Sequence, residues 1–284
     1  MLIMLNNVRI PKLSRLGNSV RAMARRIALE RALRRAVDLG ELFLVWQPIV
    51  DGASSNVIGA EALLRWNSNG LGTISPVEFI PVAEDTGLIV PIGDWVIKQA
   101  CVQVAQWRRT LAPDLFVSVN LSPVQVRREL VDVIESCLRR EDLAASALEL
   151  ELTERLLLRG SRTEIAVLNQ LAAAGITIAV DDYGTGHASL SYLRQFPLQK
   201  LKVDRSFVED LPESWDSSQI VRALVSMAHS LDMIATVEGV ETQAQSDFLR
   251  SLGYDRQQGF FHGRPVSGAE YERLLERQNY EMVE

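Results

Sequence analysis

Cysteine and histidine are scarce in this chain of 284 residues, which has two cysteines and three histidines. Cys101 and Cys137 lie in separate amphipathic stretches, with no further cysteine or histidine at the spacing of a metal site. A disulfide scaffold or a zinc module would require more such residues at regular spacing. The two cysteines are therefore predicted to be buried free thiols in a reducing compartment.

Long apolar runs are also absent. Residues 1–5 are apolar, but this stretch is shorter than the core of a signal peptide, and two asparagines follow it. No stretch approaches the roughly 20 consecutive apolar residues that a membrane-spanning helix needs. We therefore expect no membrane span, and a protein that is cytoplasmic or is the cytoplasmic part of something larger.

Positive charge is sparse outside the N-terminal segment. Residues 1–40 carry nine Lys or Arg and two acidic residues, whereas the rest of the chain carries 21 and 34, a balance of −13. Such an acidic body argues against binding of a nucleic-acid polymer across the surface. If the substrate is a phosphate ester, this charge makes a bridging metal ion more necessary.

The basic N-terminal segment is predicted to form an amphipathic helix over residues 20–40. A face packed on the rest of the domain is favoured over contact with a membrane or a partner, and the helix could also be a linker from an upstream domain. Residues 1–24 are predicted to be an N-terminal extension or linker, and residues 25–284 a single domain.

Eight strands are predicted to alternate with helices along the chain. The first two strands, at 42–50 and 56–66, are joined by so short a connection that they must form an antiparallel hairpin. The other strands are predicted at 115–120, 148–152, 176–181, 201–203, 234–238 and 257–261. Helices are predicted at 75–84, 92–109, 122–139, 161–174, 188–196, 217–231, 242–252 and 268–278. This alternation predicts an α/β fold, a modified (β/α)8 TIM-type barrel with an antiparallel first strand.

The start of the first predicted helix carries a local signal of its own. Ser75 and Glu78 have the spacing of a capping box, and Pro76 stands at the first helical position. The sequence therefore predicts a helix start fixed by reciprocal hydrogen bonds, in which each of these side chains accepts the backbone N–H of the other residue.

Polar side chains stand at the ends of the predicted strands, where barrels of this class build their active sites. These residues are Glu61, Asn120, Glu151, Asp181, Asp182, Lys202, Asp204, Glu238 and Gln258. Converging carboxylates repel one another unless cations lie between them. Oxygen ligands without histidine fit Mg²⁺ or Mn²⁺ better than zinc, and a two-metal site is plausible.

Each of these residues also has a structural interpretation when it is considered singly. Asp181 and Asp182 could form a solvated Asx turn, although a turn at the strand end would let both carboxylates face one ligand. Glu61 could pair with Arg65, and Lys202 could extend out of an otherwise apolar strand. The repetition of such residues at successive strand ends favours a shared site.

The segment from Glu61 to Trp66, with the sequence EALLRW, resembles the signature of the EAL-domain phosphodiesterases. That family hydrolyses the bacterial second messenger cyclic di-GMP to linear pGpG. The resemblance extends in order through 47–50, 76–81, 119–122, 151–154, 181–186, 201–207, 238–242 and 258–260, and covers about residues 25–280. It implies an enzyme with two Mg²⁺ or Mn²⁺ ions per site.

The resemblance also implies a role for each site residue. One metal ion would be held by Glu61, Asn120, Glu151 and Asp181. A second would share Asp181 and add Asp182 and Glu238. Lys202 would hold or polarise the attacking water, Glu238 is the other candidate for its proton, and Glu61 counts among the catalytic residues as a metal ligand. Substrate contacts are expected from Gln47, Arg65, Asp204 and Gln258, and supporting roles from Glu154 and Glu241.

The chain departs from the family pattern at Tyr183, at His187 and Ala188, and at Val237. In the family, the loop that carries the first two of these departures couples metal binding to dimer contacts, so rate and regulation are in doubt more than the reaction. The resemblance implies a homodimer and leaves room for an upstream sensor domain or partner protein. An active enzyme is expected. The alternatives are a cyclic di-GMP receptor without hydrolysis, and an unrelated metal-dependent lyase.

Overall fold

A closed barrel of eight strands forms the centre of the protein. The computed structural model describes residues 13–184 and 193–281. Its strands are β1 (Leu42–Asp51), β2 (Val57–Ser68), β3 (Gly72–Ile74), β4 (Phe116–Leu121), β5 (Leu148–Thr153), β6 (Thr177–Tyr183), β7 (Lys200–Val203), β8 (Ile234–Val237) and β9 (Arg256–Gln258). The order around the barrel is β1-β9-β8-β7-β6-β5-β4-β2, and pairing of β1 with β2 closes it. The short β3 extends the sheet beyond β2.

The antiparallel direction of the first strand is confirmed. β1 runs antiparallel to both of its neighbours, β2 and β9, whereas the ladders from β2 through β4 to β9 are parallel. The cause is the short connection after β1, which cannot hold a crossover helix and forces the chain back as a hairpin. The predicted modified TIM-type barrel is therefore the observed fold.

Helices surround the barrel and bury their apolar faces against it. They span Leu13–Ala36, Pro76–Asp85, Ile89–Thr110, Glu129–Glu141, Glu154–Arg159, Arg162–Ala173, Trp215–Ser230, Gln243–Ser251 and Gly268–Glu281. Aromatic side chains join some of them to the barrel. The Trp107 ring lies 4.9 Å from that of Trp46 and 4.6 Å from that of Tyr271, measured between centroids. Both cysteines are buried free thiols, as predicted.

The N-terminal helix packs one face on the domain, as preferred from the sequence. Leu29 and Leu33 are buried, and Arg25 donates from Nε to Glu78 Oε1 at 2.6 Å. The helix begins at Leu13 and runs through the predicted boundary between residues 24 and 25, so the division of the chain there stays a prediction. No helix in the described part of the chain is long and apolar enough to cross a membrane.

Two local predictions were wrong. Among the described residues, the Ser75 side chain makes no capping hydrogen bond, and the Glu78 carboxylate instead accepts from Arg25. The helix predicted at 122–139 is divided into a 3-10 turn at Pro123–Gln125 and the helix Glu129–Glu141. The 3-10 turn has its own hydrogen bond, in which Ser122 N–H donates to Gln125 Oε1 at 3.0 Å.

The last strand is shorter than predicted. β9 ends at Gln258 because the backbone of Gly259 then passes directly over Val240. A Cβ at Gly259 would lie 2.1 Å from the Val240 carbonyl oxygen. β3 and the helix Glu154–Arg159 were not predicted, and most of the helix expected at 188–196 lies outside the described residues.

Side chains inside the barrel form layers, because residues two apart on a strand point to the same side. In the lower layer Lys200 Nζ forms an ion pair with Glu149, and the Phe116 ring lies between two cations. Lys200 Nζ and Arg256 Cζ are each 4.3 Å from the ring centroid. The next layer, one step towards the carboxyl ends of the strands, contains Lys202 and its acidic partners.

Candidate active site

Lys202 is the centre of the acidic cluster at the carboxyl ends of the strands. Its Nζ atom lies 2.5 Å from Glu238 Oε1, 2.7 Å from Glu151 Oε2 and 3.2 Å from Asp181 Oδ1. These partners come from β5, β6 and the residue after β8, so the barrel closure brings them together. Lys202 is 1% exposed, which makes this one of the few places where a lysine is fully buried. The structural alternative, a lysine that extends to solvent, is wrong.

Glu61 is held at the same end of the barrel by two amide groups. Asn120 Nδ2 donates to Glu61 Oε1 at 2.5 Å, and Gln258 Nε2 donates to Glu61 Oε2 at 2.6 Å. Gln258 Nε2 also lies 3.3 Å from Gln47 Oε1. Both oxygens of Glu61 are thereby engaged, and Arg65 instead donates from Nη1 to the Leu64 carbonyl oxygen at 2.9 Å.

A bulge in β6 lets two consecutive aspartates serve one site. The strand continues through Asp181 to Tyr183, past its predicted end, but Asp182 has a φ of 55° and the register with β7 shifts between Val180 and Tyr183. A bulge turns one side chain that regular alternation would send to the opposite face. Ligand atoms of Asp181, Asp182 and Glu238 consequently lie within 4.8 Å of one another.

The cluster holds more negative charge than Lys202 can balance. Burial raises the pKa of Glu151 well above its usual range, with further upward contributions from Glu61, Asp181 and Glu238 that oppose Lys202. Burial, together with Asp181 and Glu61, raises the pKa of Glu238 to about 8.

Asp182 and Lys202 respond to the same negative field. Burial and then Asp181 raise the pKa of Asp182 to about 6. Burial alone would lower the pKa of Lys202, but Asp181, Glu151 and Glu238 outweigh it and raise that pKa well above its usual value. These carboxyl groups have raised pKa values even though a charged lysine lies beside them. A further cation would therefore be favourable here.

The donor set fits hard divalent cations. Glu151 Oε2 and Asp181 Oδ1 are buried and, among the described residues, accept no directed hydrogen bond, although both lie near the Lys202 ammonium. These two oxygens lie near the amide of Asn120 and the carboxylates of Asp182 and Glu238. Together they form a set of oxygen ligands of the kind that Mg²⁺ and Mn²⁺ prefer.

A cavity of about 190 Å³ opens directly over Glu61 and Glu238. Gln47, Gln258 and Glu241, which were predicted from the sequence, also line it. The 3-10 turn Arg205–Phe207 begins beside it, where the predicted substrate residue Asp204 caps the turn by accepting Ser206 N–H at 3.0 Å.

Glu154 contacts the residue that directly follows β6. Its Oε2 accepts the Gly184 N–H at 3.3 Å, and its supporting role stays a prediction. Tyr183 and Val237, two of the departures, are buried in the core. The departures at positions 187 and 188 lie outside the described residues, so their effect stays open.

Sequence reasoning missed three residues near the site. Arg205 and Phe260 line the cavity, and they lie within the motif segments 201–207 and 258–260, which is the signal that could have identified them. Ser118 donates from Oγ to Glu151 Oε1 at 2.5 Å. It stands two residues before Asn120, so the period-2 pattern of β4 places both side chains on the inner face.

Comparison with known proteins agrees with the fold and the site. The EAL domain family matches residues 30–265. The bifunctional diguanylate cyclase/cyclic di-GMP phosphodiesterase MucR of Pseudomonas aeruginosa is 43% identical over 235 residues, which are 82% of this chain and 34% of MucR. The cyclic di-GMP phosphodiesterase NbdA of the same organism is 38% identical over 250 residues, which are 88% of this chain and 32% of NbdA. This chain thus spans about a third of the length of these relatives.

A solved structure is similar over the whole barrel. The MucR phosphodiesterase in complex with c-di-GMP has a TM-score of 0.80 and 41% identity, and the match covers 86% of this chain and 99% of that one. The resemblance seen in the motifs is therefore confirmed. Because the family match covers most of the chain and the barrel carries its motifs at the strand ends, this protein belongs to the EAL domain family.

Proposed function

We propose that this protein is a phosphodiesterase that hydrolyses cyclic di-GMP to linear pGpG with two divalent cations. One observation carries the proposal. Ligand atoms of Asp181, Asp182 and Glu238 lie within 4.8 Å of one another, and Glu61, whose carboxylate accepts from Asn120, lines the same cavity as Glu238. Relatives of this chain are named as cyclic di-GMP phosphodiesterases, which gives the substrate class.

The proposed ligands divide into two sets that share Asp181. Glu61, Asn120 and Glu151 would complete the first set, and Asp182 with Glu238 would complete the second. Mg²⁺ or Mn²⁺ in these positions would lower the pKa of a bound water and offset the charge of the phosphate. The raised pKa values of the carboxyl groups support this assignment, because burial and then mutual repulsion disfavour the charged carboxylates, and a bound cation would offset both.

Two residues are proposed to act on the attacking water. The Glu238 side chain is 21% exposed and lines the cavity, whereas the Lys202 side chain is 1% exposed below it. Bound cations would favour the ionised form of Glu238, which would then be the group that accepts a proton at the cavity surface. Lys202 stabilises developing negative charge and keeps the carboxylates in place from beneath, as a point charge on a buried stem.

Substrate contacts are proposed at four residues. Gln47 and Gln258 line the cavity beside Glu61, whereas Arg65 lies on β2 and Asp204 directly follows β7. Amide and guanidinium donors suit phosphate oxygens and base edges, and a carboxylate suits the donor edge of guanine. Glu154 and Glu241 are proposed to support the loops around the site.

The surroundings of the domain are proposed from the family. We propose a cytoplasmic homodimer in which an upstream sensor domain or a partner protein controls the site. The much greater length of MucR and NbdA supports a multidomain context for domains of this kind. The solution mass of the purified chain, measured by light scattering with and without c-di-GMP, tests the dimer.

Hydrolysis itself is tested by incubating the purified protein with c-di-GMP and Mg²⁺ or Mn²⁺, and following pGpG by chromatography. Product that forms with either metal and disappears with EDTA is the expected result. Tight binding of c-di-GMP without product in either metal would contradict hydrolysis and make the protein a receptor. If the protein neither binds c-di-GMP nor forms product, c-di-GMP is refuted as the substrate.

A further inference from the structure

Ser118 occupies an unusual position below the proposed metal ligands. It lies in the middle of β4, is fully buried, and points into the barrel two residues before Asn120. Its Oγ atom lies 2.5 Å from Glu151 Oε1, a short contact for a hydroxyl that donates to a carboxylate. A buried hydroxyl needs a partner, and here that partner is a proposed metal ligand.

The direction of this hydrogen bond is informative. In the parallel ladder Ser118 stands opposite Glu149, and Asn120 stands opposite Glu151. The hydroxyl therefore reaches diagonally to Glu151 and leaves its register neighbour Glu149 to Lys200. Space alone does not require a hydroxyl here, since Ala179, which is buried two residues before Asp181 on β6, occupies the corresponding interior position.

The Glu151 carboxylate is consequently held at both of its oxygens. Oε1 accepts from Ser118 on one side, and Oε2 lies 2.7 Å from Lys202 Nζ on the other. An ammonium group is a point charge that attracts from any direction, so Lys202 by itself does not define the plane of the carboxylate. The directed bond from Ser118 does.

We propose that Ser118 is a positioning residue, whose hydroxyl fixes the orientation of the Glu151 carboxylate for divalent-cation binding. This inference rests on the proposed function. Groups that hydrogen-bond a metal ligand from behind typically change metal affinity by about 10- to 100-fold when they are removed. Loss of the Ser118 hydroxyl should therefore weaken the metal site while the barrel stays folded.

The test uses three variants of the full chain. Ser118→Ala removes the hydroxyl, Ser118→Cys keeps the volume with a weak donor, and Ser118→Thr keeps the hydroxyl. The matched control is Ser246→Ala, because Ser246 is equally buried and donates from Oγ to Gln257 Oε1 at 2.8 Å, outside the acidic cluster. Circular dichroism establishes that each variant is folded.

The first readout is Mn²⁺ binding measured by calorimetry without c-di-GMP, and the second is the Mn²⁺ concentration that gives half-maximal hydrolysis. For Ser118→Ala and Ser118→Cys we expect an Mn²⁺ Kd at least about 10-fold higher than that of the wild type. Hydrolysis at saturating Mn²⁺ should largely recover. Ser118→Thr should restore Mn²⁺ binding, and Ser246→Ala should not alter it.

Two results would overturn the inference. One is an Mn²⁺ Kd in Ser118→Ala equal to that of the wild type. The other is a Ser118→Cys variant that binds like the wild type, which would show that volume alone matters. Failure of the proposed function is distinguishable, because a wild type that binds Mn²⁺ without hydrolysing c-di-GMP still allows the Ser118 comparison. A wild type that binds no Mn²⁺ would overturn both.

Discussion

Removal of the Lys202 charge should destabilise the metal-free protein strongly, and divalent cations should reverse much of the loss. Lys202→Met keeps an apolar stem of similar length but leaves Glu151, Asp181 and Glu238 without their shared cation. Breaking a buried ion pair by removing one partner costs about 3–5 kcal/mol. In a domain of this size that corresponds to a fall in melting temperature on the order of 10 °C.

A bound cation would replace the missing positive charge. A ligand at 100 times its Kd stabilises the folded state by about 2.7 kcal/mol, and the variant should bind metal more tightly because its cluster has lost a competing charge. The assay is thermal unfolding followed by circular dichroism, in EDTA and in excess Mn²⁺. We expect the Mn²⁺-induced rise in melting temperature to be larger in Lys202→Met than in the wild type.

Lys200→Met is the matched control for this experiment. Lys200 lies on the same strand, is 3% exposed, and pairs with the buried Glu149 one layer below the site. Its removal should also destabilise the protein, although Arg256 Nη1, 3.5 Å from Glu149 Oε2, leaves Glu149 with a second cationic partner. Mn²⁺ should add no more stability to Lys200→Met than to the wild type. An equal Mn²⁺ response in the two variants would refute the reasoning, since it would show that Lys202 does not share its partners with a metal ion.

Three further predictions follow from the contacts. Glu61→Gln keeps the shape but removes one ligand charge, so hydrolysis in the chromatographic assay should fall by more than about 100-fold; wild-type rates would exclude Glu61 from the metal site. Burial and then Arg250 lower the pKa of His262 to about 4, so its contribution to stability is present above pH 6.5 and is lost as the pH falls towards 4. His262→Gln should therefore make the urea midpoint depend less on pH between pH 6.5 and 5. An unchanged pH dependence of the midpoint would contradict this. In urea unfolding, Gly239→Ala should be more destabilising than Gly253→Ala. Both glycines have a positive φ, which costs about 1–2 kcal/mol for an L-residue. A Cβ at Gly239 would also lie 2.2 Å from the Arg205 Cβ, whereas a Cβ at Gly253 would have no atom within 4 Å. Equal losses would argue against the close packing at Gly239.

Much of the barrel follows from local signals in the sequence. Alternating strands and helices predict the (β/α)8 architecture, and the short connection after β1 is enough to predict its antiparallel direction. The convergence of Glu61, Asn120 and Glu151 also follows, because strand ends of a closed parallel barrel meet at one mouth. These features depend on periodicity and on loop length, which a linear sequence contains.

Other features depend on which distant groups meet, and the sequence does not contain that information. Glu78 has the spacing of a capping residue, yet it pairs with Arg25 because the N-terminal helix packs beside it. The φ of 55° at Asp182 is set by the register of β6 against β7, and it decides that two adjacent aspartates share a site.

The central position of Lys202 has the same origin. From the residues alone, a lysine in an apolar strand has an equally good interpretation as a side chain that extends to solvent. Barrel closure puts Lys202 Nζ within 3.2 Å of three carboxylates from other strands. The same closure brings the Ser118 hydroxyl to Glu151. The sequence by itself determined the fold and the strand ends at which the site forms. The tertiary structure decided which charges contact one another, because those contacts depend on strand register and shear, which act between residues far apart in the chain.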